Sequence, residues 1–191
     1  MDQNYWEQRW KSGNTGWDIG HPSVALAEYI KQYTKKDAQI LIPGCGSAYE
    51  AEVLLSLSFT NIHLLDISPK IVKTVQEKFT ESPQIKVICG DYFNHHDLYD
   101  LIIEQTFFCA LSPSLRNKYV THTYNILKPE GRVIGLLFNK QFDQSGPPYG
   151  GSEEEYRKLF SPYFKIQTME VCYNSISPRL NSELFINLIK S

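Results

Sequence analysis

Two glycines stand one residue apart in Ile40-Leu41-Ile42-Pro43-Gly44-Cys45-Gly46-Ser47, directly after an apolar run and just ahead of a helical pattern. Gly44 and Gly46 let a backbone turn sharply and let a ligand approach it closely. About twenty residues later Asp66 closes a second apolar run, where a carboxylate can accept hydrogen bonds from both hydroxyls of an adenosine ribose. Asp91-Tyr92 follows a third run; the aspartate can accept from an adenine amino group and the tyrosine ring can pack on the base. Ligands of open α/β sheets bind at the carboxyl edge, so glycines, ribose acid and adenine acid on three successive strands read together as an adenosine site. Asp66 as a turn former before Ser68-Pro69, and Asp91 as a solvated turn, are the competing structural explanations. Tyr49 fills the third glycine position of G-x-G-x-x-G, which argues against a pyrophosphate on the helix amino terminus.

All three tryptophans, Trp6, Trp10 and Trp17, precede the first of these runs. Trp6 and Trp10 are spaced i, i+4 and share one face of a helix. Aromatic faces attract cations, and an aromatic lid over about residues 1–22 would keep water from a reactive group. A fixed plug of the amino terminus is the alternative.

The elements that must position these residues are legible as apolar runs alternating with helical patterns, the signature of a parallel sheet wound by helices. Strands are expected at Ala38–Pro43, Asn61–Ile67, Ile85–Gly90, Tyr99–Gln105 and Gly131–Phe138, with helices at Ala48–Leu57, Pro69–Phe79 and Pro113–Leu127. Ser68 and Pro69 suit the cap and first position of the second helix. After a loop over Asn139–Gly151, a short helix capped by Ser152 begins with Glu153 to Glu155, carboxylates that the helix dipole favours there. Phe164–Tyr173 and Leu180–Lys190, joined by Asn174–Pro178, read as an antiparallel hairpin closing the sheet. The expectation is one doubly wound α/β domain over residues 1–191.

Composition excludes several classes. The 191 residues are 42% hydrophobic and 21% charged with a net charge of -2, so there is no basic face for nucleic acid. No run approaches the roughly 18 apolar residues of a membrane span, and Met1-Asp2-Gln3-Asn4 lacks the features of a signal peptide. A small-molecule substrate and a cytoplasmic setting are expected, with no membrane partner; the oligomeric state is open. The four cysteines are widely spaced and read as free thiols, with Cys45, Cys89 and Cys109 as small buried hydrophobes. His95-His96-Asp97 forms a polar cluster without a full ligand set in the sequence, so no metal is expected. His21 suits a structural hydrogen bond.

The chain resembles the thiopurine S-methyltransferase family, closest to its thiol and halide methyltransferase branch. The resemblance rests on WEQRWKSGNTGWDIGHP (Trp6 to Pro22), IPGCGSAY (Ile42 to Tyr49), GDYF (Gly90 to Phe93), IEQTFFCAL (Ile103 to Leu111), LKPEG (Leu127 to Gly131) and GPPY (Gly146 to Tyr149). It implies the class I methyltransferase fold, a mostly parallel seven-stranded sheet, with S-adenosyl-L-methionine as donor. Trp6, Trp10, Trp17, Gly44, Gly46, Asp66, Asp91 and Tyr92 would bind the cofactor. Gln105 stands where many relatives carry a tyrosine beside it, and Tyr149 matches a tyrosine on the substrate side.

Methyl transfer from a sulfonium is an in-line displacement whose hard chemistry the cofactor carries. A thiolate, hydrosulfide, thiocyanate or halide needs orientation and desolvation more than a proton acceptor, and no general-base constellation stands out in the sequence. Loops around Asp18, Phe107 and Asn139–Gly151 are expected to shape the acceptor pocket. A non-catalytic binding protein for S-adenosylmethionine and a nicotinamide-dependent oxidoreductase are the alternatives; Tyr49 and the aromatic amino terminus speak against the latter.

Overall fold

Aliphatic side chains fill the short apolar runs, and in the computed structural model, which describes residues 2–191, each run becomes a strand. The strands are β1 (Ile40–Pro43), β2 (Ile62–Asp66), β3 (Ile85–Cys89), β4 (Tyr99–Gln105), β5 (Leu127–Phe138), β6 (Phe164–Val171) and β7 (Glu183–Lys190). They form a seven-stranded sheet in the order β3-β2-β1-β4-β5-β7-β6, the expected α/β fold with antiparallel strands at its carboxyl-terminal end. Contacts within the chain divide it into two compact units, Met1–His95 and His96–Ser191.

In the first unit β1, β2 and β3 run parallel, with Pro43 opposite Leu65 and Asp66 opposite Cys89. Every residue of β1 and β2 is buried, whereas β3 is half-covered, as expected for inner strands and an outer one. Four helices accompany them: α1 (Gln3–Lys11), α2 (Val24–Gln32), α3 (Tyr49–Ser56) and α4 (Pro69–Lys78). Alternation of runs and helices supplies no element at α2, yet it buries Ala25, Leu26 and Ile30. Pro69 occupies the first turn of α4 as expected, but the Ser68 side chain does not cap it.

The second unit pairs β4 with β5 in parallel, and β7 antiparallel to both β5 and β6. The helix expected over Pro113–Leu127 is shorter. Pro113–Leu115 form a 3-10 turn, α5 covers Arg116–Asn125, and Leu127 already begins β5. The LKPEG segment is therefore strand-like, and a register shift between Tyr99 and Leu101 accommodates its extra residues. The last strand begins at Glu183 rather than Leu180, because a 3-10 turn at Ser177–Arg179 and the positive φ of Asn181 interrupt extended backbone. Helix α6 (Glu153–Phe160) is capped as expected, the Ser152 hydroxyl accepting from the Glu155 N–H. Cys45, Cys109 and Cys172 are buried free thiols, but Cys89 is exposed at the end of the outer strand, contrary to the reading of it as buried. Among the described residues no helix is long and apolar enough to cross a membrane.

Candidate active site

The parallel register of β1, β2 and β3 brings the glycine turn, Asp66 and Asp91 to one edge of the first unit. Gly44 and Gly46 take φ of 57° and 49°, left-handed values that other L-residues adopt only with strain. A Cβ on Gly46 would lie 3.5 Å from the Trp10 ring, so this indole rests on the turn. The turn is fastened to its neighbour by the Cys45 N–H donating to the Leu65 carbonyl at 3.0 Å.

Asp66 is 7% exposed. Its Oδ2 accepts from the Gly46 N–H at 3.2 Å and its Oδ1 from the Ser68 N–H at 3.0 Å. Burial pushes its pKa up, while the backbone donors pull it back. Each carboxylate oxygen has a second lone pair, so the group can hold the turn and still accept from two ligand hydroxyls. Asp91 caps a 3-10 turn at Tyr92–Asn94 by accepting from the Phe93 N–H at 2.9 Å. That realises the turn-forming explanation for Oδ1 and leaves its carboxylate exposed. Tyr92 is buried, its ring edge-on to Phe93 with centroids 5.6 Å apart.

The three tryptophans meet. Trp17 lies edge-on to Trp6 at 5.4 Å and to Trp10 at 5.5 Å, and the Arg9 guanidinium stands over the Trp17 ring at 5.2 Å. Two carboxylates dock this aromatic segment. Glu7 Oε2 accepts from the Ser68 hydroxyl at 2.6 Å and from the Lys70 N–H at 2.9 Å, capping α4 in place of Ser68. Those two donors, with Lys11 adding to them, hold the Glu7 pKa down to about 2. Asp18 Oδ2 accepts from the Ser47 hydroxyl at 2.6 Å and Oδ1 from the Gly20 N–H at 2.8 Å. His21 Nδ1 lies 2.8 Å from the Pro22 carbonyl, a structural contact as expected.

In the second unit β4 ends in Glu104 and Gln105, opposite Gly135 and Leu136. Glu104 is wholly buried, and its Oε1 accepts from the Phe107 and Phe108 N–H groups at 2.8 and 2.6 Å. The Phe108–Ala110 turn that follows carries Cys109, whose carbonyl accepts from the Tyr149 N–H at 2.7 Å. The loop bearing Tyr149 is held from its other side by Arg116. This buried guanidinium ion-pairs with Glu155, donates to the Gly150 carbonyl at 2.6 Å, and lies over the Phe108 ring at 5.1 Å. Glu155 thus does more than complement the α6 dipole.

Sequence reasoning passed over Glu7, Glu104 and Arg116. For Glu104 a signal exists, a carboxylate inside the apolar run YDLIIEQ; for Glu7 and Arg116 only tertiary contacts reveal the role.

The thiopurine S-methyltransferase family profile matches residues 1–184. The chain is 33% identical over 162 residues to a probable thiol methyltransferase 2 of Arabidopsis thaliana, covering 82% of this chain and 71% of that one. It is 28% identical over 189 residues to thiocyanate methyltransferase 1 of Brassica oleracea, covering 96% and 83%. Among solved structures, magnesium protoporphyrin IX methyltransferase from Synechocystis with bound S-adenosylmethionine superposes with a TM-score of 0.77 at 15% identity, covering 99% and 95%.

Proposed function

Because the chain belongs to the thiopurine S-methyltransferase family, and is thereby an S-adenosyl-L-methionine-dependent methyltransferase, we propose that its acceptor is a small soft nucleophile: a thiol, hydrosulfide, thiocyanate or halide. One observation carries this reading. The 2.7 Å bond from the Tyr149 N–H to the Cys109 carbonyl joins the segments TFFCAL and GPPY, on which the resemblance to thiol and halide methyltransferases rests at the acceptor side. The likeness to thiol and thiocyanate methyltransferases supports it.

The first unit suits this donor. Asp66 accepts from the ribose hydroxyls, and Gly44 and Gly46 let the ligand lie against the turn. Asp91 and Tyr92 receive the adenine. Trp6, Trp10 and Trp17 form an aromatic lid whose faces favour a sulfonium cation, although Arg9 already stands over Trp17. The donor supplies an electrophilic methyl group. The protein's own work is orientation and exclusion of water. Tyr149 positions the acceptor: its phenol O–H donates one hydrogen bond to an incoming anion.

A screen of thiols, hydrosulfide, thiocyanate, halides and thiopurines for methylated product tests the reading. The expected result is turnover of at least one small soft anion or thiol. Turnover of thiopurines alone, or of none of these acceptors, would sink it.

A further inference from the structure

Glu104 is a buried titratable group that the chemistry above leaves unused. Its Oε1 is fully engaged at the start of the Phe108–Ala110 turn. Oε2, in contrast, is buried with no hydrogen-bond partner. An orphaned carboxylate oxygen in a protein interior is costly, and the sequence makes room for it deliberately. Gly135 stands directly opposite on β5, where a Cβ would lie 2.7 Å from the Glu104 Cβ and 3.1 Å from Oε2. Any side chain there would displace the carboxylate. The group sits at the carboxyl end of β4, the edge at which α/β sheets bind ligands. The turn that it fastens is the one whose Cys109 carbonyl holds Tyr149.

Resting on the proposed function, we propose that Glu104 is the proton acceptor for acceptors that arrive protonated, so that thiols and hydrogen sulfide are served as well as preformed anions. The S–H bond breaks as its proton passes to Oε2. The sulfur's freed electron pair forms the new S–C bond to the methyl group, S-adenosylhomocysteine leaves, and the carboxyl returns its proton to solvent. Charge and atoms balance without a further reactant. Burial pushes the Glu104 pKa up to about 7, against the pull of the Phe108 and Phe107 N–H groups, and a proton acceptor works best when its pKa lies near the operating pH. Cys109 is no rival: burial first, then the neighbouring Glu104 charge, raise its thiol pKa far above the usual range. Thiocyanate and iodide carry no proton and need no such group.

That difference is the test. Glu104→Gln keeps a carbonyl oxygen for the Phe107 and Phe108 N–H groups but cannot take a proton. At pH 7 it should lower kcat/KM for a thiol by about 10²-fold, the lower range for a lost general base, and abolish the rise of the thiol rate around neutral pH. Thiocyanate turnover by the same variant should fall far less, so that the ratio of thiol to thiocyanate kcat/KM drops by about tenfold or more. Difference infrared spectroscopy should find a protonated-carboxyl band that titrates near neutral pH in the wild type and is missing from Glu104→Gln. Equal losses on thiol and thiocyanate would mean that Glu104 only positions the turn, and would overturn the inference. So would full thiol activity, absence of the titrating band, or a wild-type chain that methylates thiocyanate and no thiol. A wild-type chain that methylates neither overturns the proposed function itself, and the inference with it.

Discussion

Asp66 holds the glycine turn, and we propose that it also holds the ribose; one substitution, read by two measurements, probes both. Its carboxylate accepts backbone N–H groups from Gly46 and Ser68, and in the proposed donor site its remaining lone pairs would take the ribose hydroxyls. Asp66→Ala should weaken S-adenosylmethionine binding by about 1.5–3 kcal/mol, the range for hydrogen bonds to a charged group. It should also lower stability by about 1–3 kcal/mol, since the buried Ser68 N–H and the part-buried Gly46 N–H lose their partner. Calorimetry and thermal melting measure the two effects; an unchanged dissociation constant would remove Asp66 from the cofactor site. Tyr149 is tested on the acceptor side. Tyr149→Phe should lower kcat/KM for thiocyanate about tenfold, roughly 1.4 kcal/mol of transition-state stabilisation, with cofactor affinity unchanged. Full activity would make the ring a packing element of its loop and turn attention to Asp18 and Phe107.

The aromatic segment is held as an element, by one carboxylate at each end. Glu7 reaches from α1 to the first turn of α4, and Asp18 reaches to Ser47 in the glycine turn. Because every tryptophan of the chain lies in this segment, tryptophan fluorescence excited selectively over tyrosine reports on it alone. Glu7→Gln should increase acrylamide quenching at neutral pH and speed protease cleavage within the first twenty residues, while bound cofactor should reverse both. The sign with pH follows from the pKa of about 2. A depressed carboxyl contributes stability above its unfolded value near 4.5, and that contribution is lost as pH falls toward 2. Wild-type quenching should therefore approach that of Glu7→Gln over this acid range. Identical quenching of the two proteins at pH 7 would show that Glu7 does not hold the segment.

For the whole molecule, Glu104 acts in the opposite direction. Its folded pKa of about 7 lies above its ordinary 4.5, so its contribution is fully present below pH 4.5 and lost as pH rises through 7. The melting temperature should fall more between pH 5 and pH 8 in the wild type than in Glu104→Gln. Parallel pH profiles for the two proteins would contradict the burial of an ionisable carboxyl at this position. The net charge of -2 adds only weak self-repulsion over the same interval and is common to both proteins.

The sequence by itself determined the order of the strands, because runs such as ILIP and IHLLD are buried along their whole length and are carried mainly by aliphatic side chains. It also determined the glycine turn with Asp66 and Asp91 behind it, since strand ends in a parallel sheet collect at one edge. Local pattern did not reach α2, whose Ser23 N–H is anchored by the buried Glu50 carboxylate 27 positions away. It misread the Pro113–Leu127 stretch because pairing of Leu127 with Tyr99 overrides helical preference there. The roles of Glu7 and Arg116 were decided by tertiary structure alone, and Glu104, marked in the sequence as a carboxylate inside an apolar run, took its partners from tertiary structure. Each acts through a partner distant in sequence or through the space left by a facing glycine, and neither residue type nor spacing encodes that neighbour.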